Sequence, residues 1–218
     1  QPVQFGPYRV EALLGASKSL ESHYLVRSPE GRAVLKLVRE GALGEAALRR
    51  YLREMRLLRQ LAHPGVVGVG HIGRCELGRF VLLEFIEGAT LDALGEGEPI
   101  EPVQAAQITI DLARVIQDLH RAGIVHRDLR PSSIMLKGGE WKPVILDFGL
   151  SRDVDGDTIH SFSGLRVDSL GYWSPEQLEG TAHRTGERAD VYGLGGILYH
   201  LLTGRSPGGT GNLAEVMQ

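Results

Sequence analysis

Cysteine is nearly absent: Cys75 stands alone among 218 residues. One thiol closes no internal disulfide, so the chain fits a reducing, cytoplasmic compartment. No apolar run approaches the ~18 residues that a membrane span needs, and no signal peptide opens the chain. No Lys/Arg-rich block stands out. The 24 basic and 27 acidic residues leave a formal net charge of -3, which argues against a nucleic-acid footprint. The eight histidines show no metal-ligand spacing. Internal repeats and low-complexity segments are lacking too.

What is present is ordinary for a soluble globular domain: 42% hydrophobic and 23% charged residues, enough for one large or bilobed domain. The first part reads as strands. Residues 8–14, 23–28 and 33–38 are short, rich in Val, Leu and Tyr, and separated by turns such as "PEGR". A helix over 46–61 follows, with Leu48, Tyr51, Leu52, Met55, Leu58 and Leu61 at three- and four-residue spacing, and "HPG" stops it. Two more strands are expected around 66–72 and 80–85. The second part turns helical. Residues 103–120 carry Ile108, Leu112, Val115, Ile116 and Leu119 on one face, and 144–148 form a short strand. The segment 189–202 is so apolar that a helix there is expected to be buried on most sides. The boundary falls near "EFIEGA", giving a strand-rich unit over 1–86 and a helical one over 87–218.

Several residues bear chemistry. Lys36 lies in an apolar strand, "AVLKL", and Glu54 lies on the following helix, in "YLREMRLL". Each alone reads as a solvated side chain; together they offer an ion pair that aims an ammonium at an anion. "HRDLRPSS" places Asp128 in a segment of turn formers, where the carboxylate either shapes a turn or accepts a proton from a hydroxyl. "LDFGL" places Asp147, a natural metal ligand, after a short buried strand. Phosphoryl transfer needs this set: a cation for the phosphates, a carboxylate-held metal and a base for the attacking hydroxyl.

Taken in order, the motifs are "AVLK", "YLREMRLLRQLAHPGVV", "VLLEFIEG", "HRDLRPSS", "DFGLSR", "GYWSPEQL" and "DVYGLGGILYHLLTG". Their succession over nearly all of the chain resembles a bacterial serine/threonine protein kinase of the eukaryotic-like (Hanks) type. The resemblance implies an α+β, bilobed protein-kinase-like fold: a small antiparallel sheet with one helix as N-lobe, then a mostly helical C-lobe. It implies ATP and Mg2+ (or Mn2+) as cofactors and a protein as substrate or regulated partner. It further implies roles. Lys36 contacts the phosphates and is held by Glu54. Asp128 is the base, with Arg130 near the γ-phosphate in place of a lysine. Asp147 binds the metal together with Ser133. Gly15 belongs to the phosphate loop, Val34 and Met135 sandwich the adenine, Leu83 is the gatekeeper, and Glu84 and Ile86 offer backbone hydrogen bonds. Asp190 ties the central helix to the catalytic loop. Arg127 is set to pair with a phosphate on the activation segment, whose candidates are Thr158, Ser161, Ser163 and Ser169.

Three departures bear on activity. The family's G-x-G-x-x-G-x-V is reduced to "LGASKSLESHY", in which only Gly15 remains and the loop is one residue longer. Bulkier residues there either hold phosphates less well or make a plain solvated turn. Ser133 stands where the family has Asn, a shorter ligand. The sequence runs only a short way past the central helix, so the family's later C-lobe helices are expected to be missing and their place covered by a dimer mate or partner. Two readings stay open: an active protein kinase, and a pseudokinase that serves as a nucleotide-binding, scaffold or allosteric module. A small-molecule kinase of similar fold is disfavoured by "GYWSPEQL", which resembles the anchor of a peptide-binding activation segment.

Overall fold

The computed structural model describes residues 4–16, 21–146, 170–179 and 186–208. The chain divides into two compact units, Gln1–Ile86 and Glu87–Gln218.

In the first unit the strands are β1 (Gln4–Phe5), β2 (Tyr8–Ala16), β3 (Glu21–Ser28), β4 (Gly31–Arg39), β5 (Val69–Cys75) and β6 (Gly78–Glu84). They form one sheet in the order β1-β2-β3-β4-β6-β5, antiparallel throughout. Alternation along β4 sorts its side chains to two faces. Ala33, Leu35 and Leu37 join Phe5, Tyr8, Val26 and Phe80 in an apolar cluster on one face. Val34, Lys36 and Val38 take the other. The helix α1 (Glu45–Leu61) lies between β4 and β5 in sequence and buries Tyr51, Leu52, Met55 and Leu58. It ends at Ala62, which takes a left-handed conformation (φ 44) and donates its N–H to the Leu58 carbonyl. His63 then accepts the Gly65 amide at 3.0 Å. Val66 and Val67 are buried just past the "HPG" turn, Val66 at an isolated bridge, and β5 begins at Val69 rather than at 66.

The second unit opens with β7 (Gly88–Thr90), which pairs with β8 (Ile134–Lys137), itself paired with β9 (Pro143–Ile145). Neither β7 nor β8 was legible from periodicity, because three- and four-residue strands leave no pattern to count. The helix α2 (Pro102–Arg121) starts at Glu101, whose carboxylate accepts the Val103 amide at 2.6 Å, with Pro102 in the first turn where its missing N–H costs nothing. Ala105, Ile108, Leu112, Val115, Ile116 and Leu119 make its buried stripe. A short helix, α3 (Pro175–Leu178), precedes α4 (Glu187–Thr203), which packs against α2. The structure corrects the expectation that α4 is buried on most sides. Ala189, Asp190, Gly193, Leu194, Ile197 and Leu201 are covered, whereas Val191, Tyr192, Tyr199 and Leu202 lie on the opposite face and are exposed. An apolar sequence does not by itself say how many faces find a neighbour.

Candidate active site

In the first unit, cross-strand register gathers the expected nucleotide residues. Lys36 pairs with His23 of β3 and Val81 of β6, Val34 with Leu25 and Leu83, and Gly15 with His23. Directly paired residues share a face, so Gly15, Val34, Lys36 and Leu83 lie on one side of the sheet. The Lys36 ammonium sits 5.8 Å from the centre of the Tyr51 ring of α1. It forms an ion pair with Glu21 Oε2 at 3.1 Å, and the lysine side chain is only 3% exposed. Glu21 Oε1 also lies 3.4 Å from His23 Nε2. Glu54 is half-buried on α1. The Glu84 amide donates to the Gly68 carbonyl at 2.8 Å. Ile86 is buried at the end of this unit.

In the second unit, one buried carboxylate organises the segment between α2 and β8. Asp190 Oδ2 accepts the His126 amide at 2.9 Å and His120 Nε2–H at 2.7 Å, while Oδ1 accepts the Arg127 amide at 2.7 Å. Arg127 is held at φ 64, a left-handed conformation that costs a non-glycine residue about 1–2 kcal/mol. Such strain persists where surrounding bonds over-determine it. Here the Arg127 N–H goes to Asp190, and its carbonyl accepts Gln177 Nε2–H of α3 at 2.7 Å. Gln177 Oε1 in turn accepts the Ser174 amide and hydroxyl at 3.0 and 3.1 Å. Leu129 is pressed against α4 so closely that a Cβ at Gly193 would come within 2.8 Å of the Leu129 Cβ. Asp128 sits in this fixed loop, its amide 3.3 Å from His126 Nδ1 and its carboxylate 3.5 Å from Arg130 Nε. Neither side chain is fully covered: Arg130 is 19% and Asp128 16% exposed.

Ser133 is 2% exposed and its hydroxyl is engaged within its own turn. It donates to the Arg130 carbonyl at 2.8 Å and accepts the Arg130 amide at 3.2 Å. Met135 follows on β8, half-buried, opposite Thr90 and Val144. Asp147 and the candidate phosphosites Thr158, Ser161, Ser163 and Ser169 lie outside the described residues.

The family model of the protein kinase domain matches residues 9–217. The chain belongs to the protein kinase domain family. It is 36% identical over 197 residues to the serine/threonine-protein kinase PkaA of Streptomyces coelicolor, covering 87% of this chain and 35% of that protein. It is 30% identical over 218 residues to the serine/threonine-protein kinase PknJ of Mycobacterium tuberculosis, covering 97% of this chain and 36% of that one. The chain thus spans about a third of the length of these relatives. The crystal structure of a mutant of the Mycobacterium tuberculosis PknI kinase domain superposes with a TM-score of 0.73 at 24% identity, over 94% of this chain and 77% of that chain. The fold is that of a kinase domain, with an antiparallel sheet and one helix in its first unit and a mostly helical second unit.

In the first unit the Lys36 ammonium shares one face of the sheet with the apolar Val34 and Leu83, and in the second the Asp128 carboxylate and the Arg130 guanidinium share one loop. Three residues that engage the expected ones escaped sequence reasoning: Glu21 in the first unit, and His120 and Gln177 in the second. Gln177 was readable, since Ser174-x-x-Gln177 has the spacing of a capping box. Glu21 was not, because its contact with Lys36 depends on the register of β3 against β4. No helix among the described residues is long and apolar enough to cross a membrane.

Proposed function

We propose that this domain is an ATP-dependent protein kinase that phosphorylates serine or threonine hydroxyls of a cytoplasmic protein substrate. The observation that carries the reading is the grip of Asp190 on the backbone of the 126–127 segment, which fixes Asp128 in a loop whose shape does not depend on Asp128 itself. Asp128 accepts the proton of the attacking hydroxyl. Arg130, beside it, attracts the anionic γ-phosphate oxygens. Lys36 binds the α and β phosphates, with Glu54 as its partner on α1, and Gly15 belongs to the loop over them. Val34, Leu83 and Met135 enclose the base, while Glu84 and Ile86 meet its edge through their backbones. When bound, ATP supplies the phosphoryl group, and Mg2+ (or Mn2+), held by Asp147 and Ser133, offsets its charge.

A second reading, a nucleotide-binding module without turnover, is favoured by one observation. The Ser133 hydroxyl already has its proton on the Arg130 carbonyl and one lone pair on the Arg130 amide, which leaves little for a metal. Labelled ATP decides between the two. Incorporation of phosphate into a serine-containing protein mixture, abolished by Asp128→Asn while ATP affinity stays unchanged, supports the kinase. ATP binding with no incorporation in either protein sinks it and leaves the module.

A further inference from the structure

We propose that Glu21 competes with the phosphates of ATP for the Lys36 ammonium, so that the first unit carries its own internal brake on nucleotide binding; this rests on the phosphate role assigned to Lys36 above. Three observations place the competitor. The β3–β4 register pairs Glu21 with Val38 and His23 with Lys36, which puts Glu21 on the same face as Lys36, one diagonal step away. The contact is 3.1 Å, with the lysine side chain 3% and the glutamate side chain 20% exposed, so water screens it little. The second oxygen of the same carboxylate lies 3.4 Å from His23 Nε2, the residue paired directly with Lys36.

The position matters chemically. Counted from Gly15 in a loop one residue longer than G-x-G-x-x-G, the last glycine falls at Glu21. A glycine there brings no side chain; a glutamate brings a fixed negative charge to the cation that phosphate needs. A triphosphate oxygen and the Glu21 carboxylate are anions seeking one ammonium. Whichever takes it, the other is left beside a like charge of reduced screening. Glu21 need not be the sole partner of Lys36 for this competition to operate. Glu21 and His23 on β3 and Tyr51 on α1 are among the groups near Lys36, and Glu21→Gln removes the Glu21 charge alone, leaving the assigned Lys36–Glu54 partnership untouched.

The test is calorimetric titration of the domain with ATP and, separately, with adenosine, both with Mg2+. Glu21→Gln is expected to tighten ATP about 5- to 10-fold, taking the attraction of close charges in a partly buried site as the scale. Adenosine affinity is expected to stay the same, and the gain to vanish in a Lys36→Met background. Glu21→Asp keeps the charge but withdraws it, and is expected to tighten ATP by a smaller factor of about 2; it serves if Glu21→Gln fails to fold. Equal changes for ATP and adenosine, or weaker ATP binding by both variants, overturn the proposal. Wild-type ATP binding that neither variant tightens overturns it alone. ATP bound by none of the proteins overturns it together with the kinase reading. ATP bound by Glu21→Gln and not by the wild type supports it.

Discussion

The Asp190 carboxylate and the Arg127 backbone amide meet at 2.7 Å across 63 positions of sequence. The carboxylate is 1% exposed and accepts three donors: two loop amides and the His120 ring. It links α2, the catalytic loop and α4 through one side chain.

Asp190→Ala removes that acceptor and leaves its donors buried. The expected loss is about 3–5 kcal/mol of stability, the scale for breaking a buried, hydrogen-bonded charge. Both tryptophans, Trp141 and Trp173, lie in the second unit, so urea unfolding followed by tryptophan fluorescence reads the effect there. A loss below about 1 kcal/mol, the worth of one ordinary hydrogen bond, would mean that the loop is held by something else.

Ser133→Asn tests the metal site from the opposite direction. If phosphate transfer is limited by a hydroxyl spent on the Arg130 turn, an amide of longer reach is expected to raise the rate at limiting Mg2+ by about 10-fold, the equivalent of one recovered contact. The gain should shrink as Mg2+ saturates. A rate equally unchanged at all Mg2+ concentrations would show that position 133 does not serve the metal.

His200 gives a pH prediction. Burial holds its pKa below the ordinary 6.5, with the negative charge of Asp92 acting in the opposite sense. Its Nδ1 lies 3.0 Å from the Tyr172 hydroxyl. Because the folded pKa is the lower one, the unfolded chain takes up the proton first as pH falls. The contribution of neutral His200 is therefore complete above pH 6.5 and is lost as pH drops through the folded value. Urea midpoints measured between about pH 8 and pH 5 should fall more steeply for the wild type than for His200→Gln. Parallel curves would assign the acid sensitivity to other groups.

Much of the fold was legible. The spacing of Leu48, Tyr51, Leu52, Met55 and Leu58 foretold α1, and that of Ile108, Leu112, Val115, Ile116 and Leu119 foretold α2, because both helices bury one periodic stripe. The motif order foretold the family. What sequence could not give came from two sources. Very short strands such as Gly88–Thr90 exist only because a distant partner pairs with them. Contacts such as Lys36–Glu21 are set by ladder register, and sliding the pairing by one residue would carry Glu21 to the opposite face. The exposed side of α4 was missed for a related reason: apolar composition shows appetite for burial, not the presence of a neighbour.

The bonds that fix the 126–127 segment run to main-chain atoms: the amides of His126 and Arg127 to Asp190, and the Arg127 carbonyl to Gln177. Every residue type except proline carries that amide, and all carry that carbonyl. The loop's outline is thus decoupled from the lettering of its neighbours, so Arg130 and Ser133 can depart from the family pattern while the scaffold beneath them keeps its form. The path of this segment should accordingly depend most strictly on the two side chains that hold its main chain, Asp190 and Gln177.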